Sequence, residues 1–569
     1  MKCNILSFIL LLLAISAQAQ KQRFFNLTVE DVTIDSLLPH FTYAIPIGEN
    51  YADSTYQLEI RYPEFLDMSA ADISRYNKLS GMPLSSLPNI QQQMVVERKK
   101  GILEFSLVPI VERNGKKQFL VSFMIALTSK PRNARQVRAN RISTTGNTQL
   151  YANHSVLSSG KWAKIRVPAN GIYNLTTDVI RRAGFSDLSK VRIYGYGGNL
   201  QDERISSAYL KEFDDLKEVP SCFVGGKRLF YGRGPVSWDS NTATIRTRNH
   251  YSNYGYYFIT ESTEAPLTVD ANTFLTSVYP TADDYHSLHE IENYSWFPGG
   301  RRFFENTPIA VGKTQTYTLT NTAKASNGTL AIGVSAGKGR TSIQIEVNGE
   351  KKGELSMSTG EFDYGAEIER KYPLVGLHNV DSIKITTLSG GPARLDYVSI
   401  TYDKPRSAPN LTEGTFPVPE YVYNITNQDL HSHTPVDLVI IIPTSQKLLK
   451  QAQRLAAFHE QHDGIKVRIV PADEIFNEFS SGTPDAMAYR RYMKMLYDRA
   501  KTEAEIPKSL LLFGDCVWDN RMITPECRLL NTDDYLLAYE SDNSFSLTDC
   551  YINDGWYTLM DEGEGVNQT

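Results

Sequence analysis

Residues 435–444 read PVDLVIIIPT, 445–464 SQKLLKQAQRLAAFHEQHDG and 465–476 IKVRIVPADEIF. The first stretch is an almost unbroken apolar run, as in a strand buried on both faces of a sheet. The second places Leu448, Leu449, Ala452, Leu455 and Ala456 on one stripe of a helix. Thr444 or Ser445 stands where a helix cap is needed, and Gly464 where the helix must end. A second apolar run follows, then a helical pattern in DAMAYRRYMKMLYDRAK (485–501) and a third apolar run opening SLLLFGDCVWDNR (509–521). Strand, helix, strand, helix, strand predicts an α/β domain built on a parallel sheet. Ligands and catalytic groups in such sheets gather at the carboxyl ends of the strands. The third strand delivers Gly514, Asp515 and Cys516 to that edge. The pattern opens such a domain without closing its sheet before Thr569, so the domain is expected to be incomplete within 435–569.

Upstream of this segment the periodicity changes. KPRSAPNLTEGTFPVPE lies in a proline-rich linker, 404–434. Residues 271–403 alternate in short runs such as TYTLTNT, TLAIGVSA, TSIQIEV and RLDYVSITY, with an Asn348-Gly349 turn, and predict a jelly-roll-like β-sandwich. A mixed module spans 155–270: KWAKIRVPANGIYNLT reads as a hairpin, TTDVIRRAGF as a short helix ended by Gly184, and KVRIYGYGG as a strand. Residues 20–130 are β-rich, with ILEFSLVPIVE and QFLVSFMIAL flanking Asn114-Gly115, the dipeptide suited to a type I′ turn. Between them, 131–154 carries Arg132, Arg135, Arg138 and Arg141 at three-residue spacing. That stretch reads as a solvated linker, with a protease-sensitive junction behind a pro-segment as the alternative. Residues 1–19 form a secretory signal: Lys2, an apolar run, and Ala17-Gln18-Ala19 before a cleavage point. The chain is expected to be exported, and no other run is long enough to span a bilayer.

At 569 residues, with a formal net charge of −5 and no charge blocks, the chain shows no basic surface for nucleic acid. Four cysteines remain after the signal, too few for a disulfide scaffold, although one bridge among Cys516, Cys527 and Cys550 stays open. Cys516 could be a nucleophile just past a buried strand, or a small residue in a turn. A catalytic thiol needs a base, and no histidine follows His462, which favours the turn. His286 and His289 beside Glu290 have helical spacing but lack further metal ligands, so no metal site is predicted there. The acidic tail, including Asp533, Asp534, Asp549 and Asp554, leaves calcium as the one cofactor to consider. Gly195-Tyr196-Gly197-Gly198 lacks the third glycine of a dinucleotide fingerprint and reads as a tight turn. Trp296, Phe303 and Phe304 read as packing residues, with a sugar-stacking platform as the alternative.

LLLFGDCVWDNR (510–521) followed by LLAYESDNSFSLTDCYINDGWYTLMDEGEG (536–565) resembles the gingipain-type C25 cysteine peptidases, and within them the surface sortases of type IX secretion. Tyr539-Glu540-Ser541, Thr548-Asp549-Cys550-Tyr551 and Asp561-Glu562-Gly563-Glu564-Gly565 carry the likeness, joined upstream by SSGKWAKIRVPANGIYNLT and HYSNYGYYFIT. The resemblance implies a caspase-like α/β fold and a Cys/His dyad at adjacent strand ends. It also implies a surface reaction in which C-terminal signals are cleaved from exported cargo, with lipopolysaccharide as an acyl acceptor and outer-membrane partners. Asp549 is the residue it places in the substrate's primary pocket, as a buried carboxylate facing a basic side chain. Cys550 stands where relatives carry a second aspartate, and the His-Gly-His loop and catalytic cysteine of the family are expected beyond Thr569. The competing expectation is a non-catalytic surface module, built from the β domains, that binds glycan or protein.

Overall fold

The computed structural model describes residues 21–35, 37–80, 83–97, 100–132, 150–561 and 564. The signal segment, three of the four linker arginines, and Glu562, Gly563 and Gly565 of the acidic turn lie outside these residues. Two compact units are present, Met1–Thr145 and Gly146–Thr569.

In the first unit Lys21–Asn26, Lys116–Pro131, Ser54–Asp67 and Ile110–Arg113 form one antiparallel sheet, and Phe41–Gly48, Lys100–Leu107 and Gln91–Glu97 another. Leu103, Phe105, Leu120, Phe123 and Ile125 fill the core between them. Asn114 and Gly115 adopt φ of 50° and 74°, the double positive φ of a type I′ turn. The hairpin it closes is shorter than the sequence suggests. Pro109 supplies no N–H, and the run before it, Lys100–Leu107, pairs in the other sheet.

The second unit begins with a sheet ordered Val191–Tyr194, Gly255–Glu261, Trp162–Val167, Glu420–Ile425. Three expectations change here. The stretch 161–176 is not a hairpin: Trp162–Val167 joins that sheet, while Gly171–Asn174 pairs with Lys227–Gly232. The proline-rich linker contains a strand, Glu420–Ile425, paired with Trp162–Val167. The Gly195–Gly198 stretch is an open loop and not a tight turn: the N–H groups of Gly195 and Gly198 donate to Lys217 O and Arg233 O, both at 3.0 Å. Ser481 Oγ accepts the backbone N–H groups of Tyr196 and Gly197 at 2.9 and 3.3 Å.

Eight strands then form a β-sandwich of two antiparallel sheets. One orders His286–Glu290, Ala393–Tyr402, Asn327–Gly337 and Gly365–Val375; the other Thr314–Thr320, Val380–Ser389, Arg340–Val347 and Glu350–Ser358. Leu330, Ile332, Ile343, Ile345, Ile383 and Ile385 interdigitate between them. His286 and His289 therefore lie on a strand, not a helix. Both ring nitrogens of His286 face backbone carbonyls, those of Ala282 and Ala243, so its chemistry is used up in packing.

In the α/β segment β1 (Leu438–Ile442), β2 (Val467–Pro471) and β3 (Ser509–Leu512) are parallel, in the order β2–β1–β3. Every residue of β1 is buried, which is what its unbroken apolar run requires. Helix α1 (Leu449–His462) starts without a side-chain cap, since Ser445 Oγ accepts from Lys447 N–H ahead of it, and Gly464 follows its end at φ 67°. ADEIF does not continue β2. Pro471 closes the strand, and Ala472–Phe479 forms helix α2, with Asp473 and Glu474 in its first turn. Helix α3 (Ala486–Arg499) is capped by Asp485 and buried along nearly its whole length. It is covered by the mixed module: Arg491 Nη1 donates to Tyr196 OH at 3.1 Å and Gln201 Oε1 at 3.0 Å.

Candidate functional site

Strand β3 leads into Phe513-Gly514-Asp515-Cys516 at the carboxyl edge of the sheet. The turn is fixed by Asp515 N–H donating to Asp534 O and Leu536 N–H donating to Asp515 O, both at 2.8 Å. Cys516 is exposed, and its backbone N–H donates to Asp515 Oδ1 at 2.8 Å. Partial burial pushes its thiol above the ordinary range, and the carboxylates of Asp554, Asp515 and Glu540 push it the same way. The histidines of the α/β region are engaged elsewhere. His431 is bound by Glu478 and Asp214, His433 by Tyr492, and both His459 and His462 by Asp463. Cys516 thus sits in an electronegative surrounding that opposes a thiolate.

The Tyr-Glu-Ser segment folds back towards this thiol. Glu540 is 2% exposed, its Oε1 has no hydrogen-bond partner, and burial pushes its carboxyl up to about 9, with Arg301 opposing and Asp519 adding to the shift. Glu540 pairs as an antiparallel bridge with Ile552. Cys550 lies close enough for the Glu540 charge to add to burial, which together hold its thiol at about 11. Asp549 is exposed rather than a buried carboxylate, on the turn that follows the Ser546–Thr548 hydroxyl contact. Cys516, Cys527 and Cys550 are free thiols, so the bridge the sequence leaves open among them is not formed. Among the described residues no group of three or more His, Cys, Asp or Glu side chains could hold a metal ion.

Peptidase family C25 matches residues 431–568. That match takes in all three parallel strands of the α/β segment. Dimeric latent PorU from Porphyromonas gingivalis is similar to the chain at 28% identity, over 72% of this chain and 47% of that one, with a TM-score of 0.58. The chain thus spans just under half the length of that relative. A family 35 carbohydrate-binding module from Cellvibrio japonicus Abf62 aligns at 13% identity over 22% of this chain and 98% of its own, with a TM-score of 0.16. No curated protein matches the chain.

The C25 segment is welded to the sandwich by groups that no local pattern in the sequence reveals. Arg521 Nη1 donates to Glu292 Oε2 at 2.6 Å, across 229 residues. Glu292 also pairs with Arg248, which reaches Glu290 at 2.8 Å; Arg246 pairs with Glu290 and, at 2.7 Å, with Asp396. Two of the three aromatics near 300 serve the same junction, and Trp296 bonds within the sandwich. Phe303 stacks on Trp518 at 5.9 Å, Phe304 packs on Phe545 at 5.4 Å, and Trp296 Nε1 donates to Ser335 Oγ at 3.0 Å. Phe303 and Phe304 are buried, which leaves them no face for a sugar ring.

A cleft of about 340 Å³ opens beside the C25 sheet, lined by Thr444 beyond β1, Ala472 beyond β2 and Val517 beyond β3. Its facing wall comes from the mixed module and includes Arg166 and Tyr254. The sequence reading found the strand ends but not this wall, because only the fold brings residues 250–256 to them.

Proposed function

We propose that this chain is the N-terminal part of a surface cysteine peptidase and transpeptidase, a sortase that removes C-terminal signals from exported cargo. The observation that carries the reading is the C25 match over 431–568 within a likeness to PorU that runs over 72% of the chain. A thiolate attacks the scissile carbonyl, the C–N bond breaks and the signal leaves as a protonated amine; water or an amine such as one on lipopolysaccharide then takes the acyl group from the thioester and frees the thiolate. The histidine and cysteine of the dyad are assigned to polypeptide beyond Thr569, since Cys516 has no base and an unfavourable electrostatic surrounding. Asp549, exposed on its turn, is assigned to recognition of a basic side chain in the substrate. Export through the cleaved signal and residence at the outer membrane follow from the same reading.

The test is cleavage of a cargo protein bearing its C-terminal signal by the chain extended past residue 569. Thiol-dependent release of the signal is expected. A stop codon directly after Thr569 in the gene, or cleavage insensitive to alkylation, overturns the assignment.

A further inference from the structure

Lys164, on the strand Trp162–Val167, is 5% exposed, and its Nζ donates to Asn477 Oδ1 of helix α2 at 3.1 Å. Asn477 is itself 2% exposed, and its Nδ2 donates to Gln428 Oε1 at 2.9 Å. Three rings surround the amine: the centroids of Tyr256, Tyr423 and Phe258 lie 4.6, 5.8 and 5.9 Å from Nζ. Gly482 passes so close that a Cβ there would come within 2.7 Å of Lys164 Cε, so the side chain has little room to leave. Asp473 stands one turn before Asn477, and side chains four residues apart share a helix face. Its Oδ1 is buried without a hydrogen-bond partner, and its charge and that of Lys164 act on each other.

An amine, a carboxamide and a carboxyl group thus adjoin one another with little access to water. A lysine in solvent is a poor nucleophile because it is protonated, and desolvation is one way to free its lone pair. Here burial lowers the Lys164 amine to about 7 against the opposing charge of Asp473, and burial raises the Asp473 carboxyl against that of Lys164. Near neutral pH the pair therefore has access to the form with a free amine beside an undissociated acid. Holding reactants in contact supplies the effective concentration that an unactivated amide needs.

We propose that Lys164 and Asn477 join in an intramolecular isopeptide bond, with Asp473 carrying the proton. A turn of the Asn477 amide about its Cβ–Cγ bond presents the carbonyl carbon to Nζ. The Nζ lone pair attacks Cγ, and the electron pair of the C=O bond moves to oxygen, where the Asp473 O–H donates to it. Asp473 then passes its proton to Nδ2 and takes one from Nζ. The Cγ–Nδ2 bond breaks, the C=O bond re-forms and ammonia leaves. No oxidant and no second substrate is required. Cys222, Cys516, Cys527 and Cys550 are free thiols, so the isopeptide ties the mixed module to the C25 segment where those cysteines form no bridge. It stands apart from the sortase reading, because it needs neither dyad nor cargo.

The test is the intact mass of the purified, denatured chain, followed by peptide mapping of its tryptic digest. The wild-type chain should be lighter by one ammonia than its sequence requires, and one branched peptide should join residues 164 and 477. Trypsin should leave the chain uncut after Lys164. Asp473→Ala and Lys164→Arg should each restore the full mass, with a single cooperative unfolding transition to show that the variant is folded. Where a variant does not fold, the wild-type map decides by itself. Full mass in the wild-type chain, cleavage after Lys164, loss of ammonia with residues 164 and 477 on separate peptides, or a link that persists in Asp473→Ala overturns the proposal. Because no cleavage of cargo is read, each result leaves the sortase assignment standing or falling on its own test.

Discussion

Arg521 of the C25 segment and Glu292, next to the first strand of the β-sandwich, form an ion pair at 2.6 Å with side chains only 1% and 8% exposed. Burial opposes the Glu292 charge, but Arg521 and Arg248 hold its carboxyl below the ordinary range. Removing one partner of such a pair strands the other without solvent. Glu292→Ala is therefore expected to cost about 3–5 kcal/mol in denaturant unfolding, with sandwich and C25 segment losing stability together. A loss under 1 kcal/mol would mean that water screens the pair.

Burial opposes a charge on His431, yet hydrogen bonds to Asp214 and Glu478 and the Glu478 charge outweigh it and raise the imidazole from 6.5 to about 9. A folded value above the unfolded one gives stability that is complete below about pH 6.5 and lost as pH rises through about 9. Unfolding free energy should fall across that window by roughly 3 kcal/mol. His431→Gln should flatten the dependence. Equal slopes for the two proteins between these pH values would refute a charged His431.

Much of this architecture is legible in the sequence because apolar runs and turn residues act locally. The fully buried β1 announces itself in LVIII, and the Asn114-Gly115 and Asn348-Gly349 turns adopt the positive φ angles their residues favour. The failures share a cause, which is pairing at a distance. Gly171–Asn174 looks like the return strand of a hairpin, but its partner is Lys227–Gly232. His286 and His289 fit a helical spacing, yet Ala393–Tyr402 recruits them into a sheet. Helix α2 is hidden because IKVRIVPADEIF reads as one strand until Pro471 is recognised as its break and Asp473 and Glu474 as a helix's first turn. The arginine–carboxylate junction leaves no local trace at all.

Cys516 is exposed but surrounded by carboxylates, and its thiol is raised. Alkylation by iodoacetamide at pH 7.5 should run several-fold slower than that of free cysteine, followed by mass spectrometry of the peptide containing residue 516. Labelling faster than free cysteine would reveal an activating base that the geometry does not contain.

Asp549, exposed on its turn, is the residue assigned to a basic substrate side chain. In the extended enzyme, Asp549→Asn should lower kcat/KM by at least about tenfold for cargo with arginine or lysine at the cleavage point, and spare cargo without one. A uniform loss across both cargo types would remove Asp549 from specificity.

The proposed function rests most heavily on one point, that a C25-type dyad is supplied by polypeptide other than residues 1–569. The most direct measurement is cleavage of signal-bearing cargo by purified 1–569 beside the same chain extended past Thr569. The account predicts no cleavage by 1–569, and thiol-dependent cleavage by the longer chain that survives Cys516→Ala. Robust cleavage by 1–569 that Cys516→Ala abolishes would contradict it.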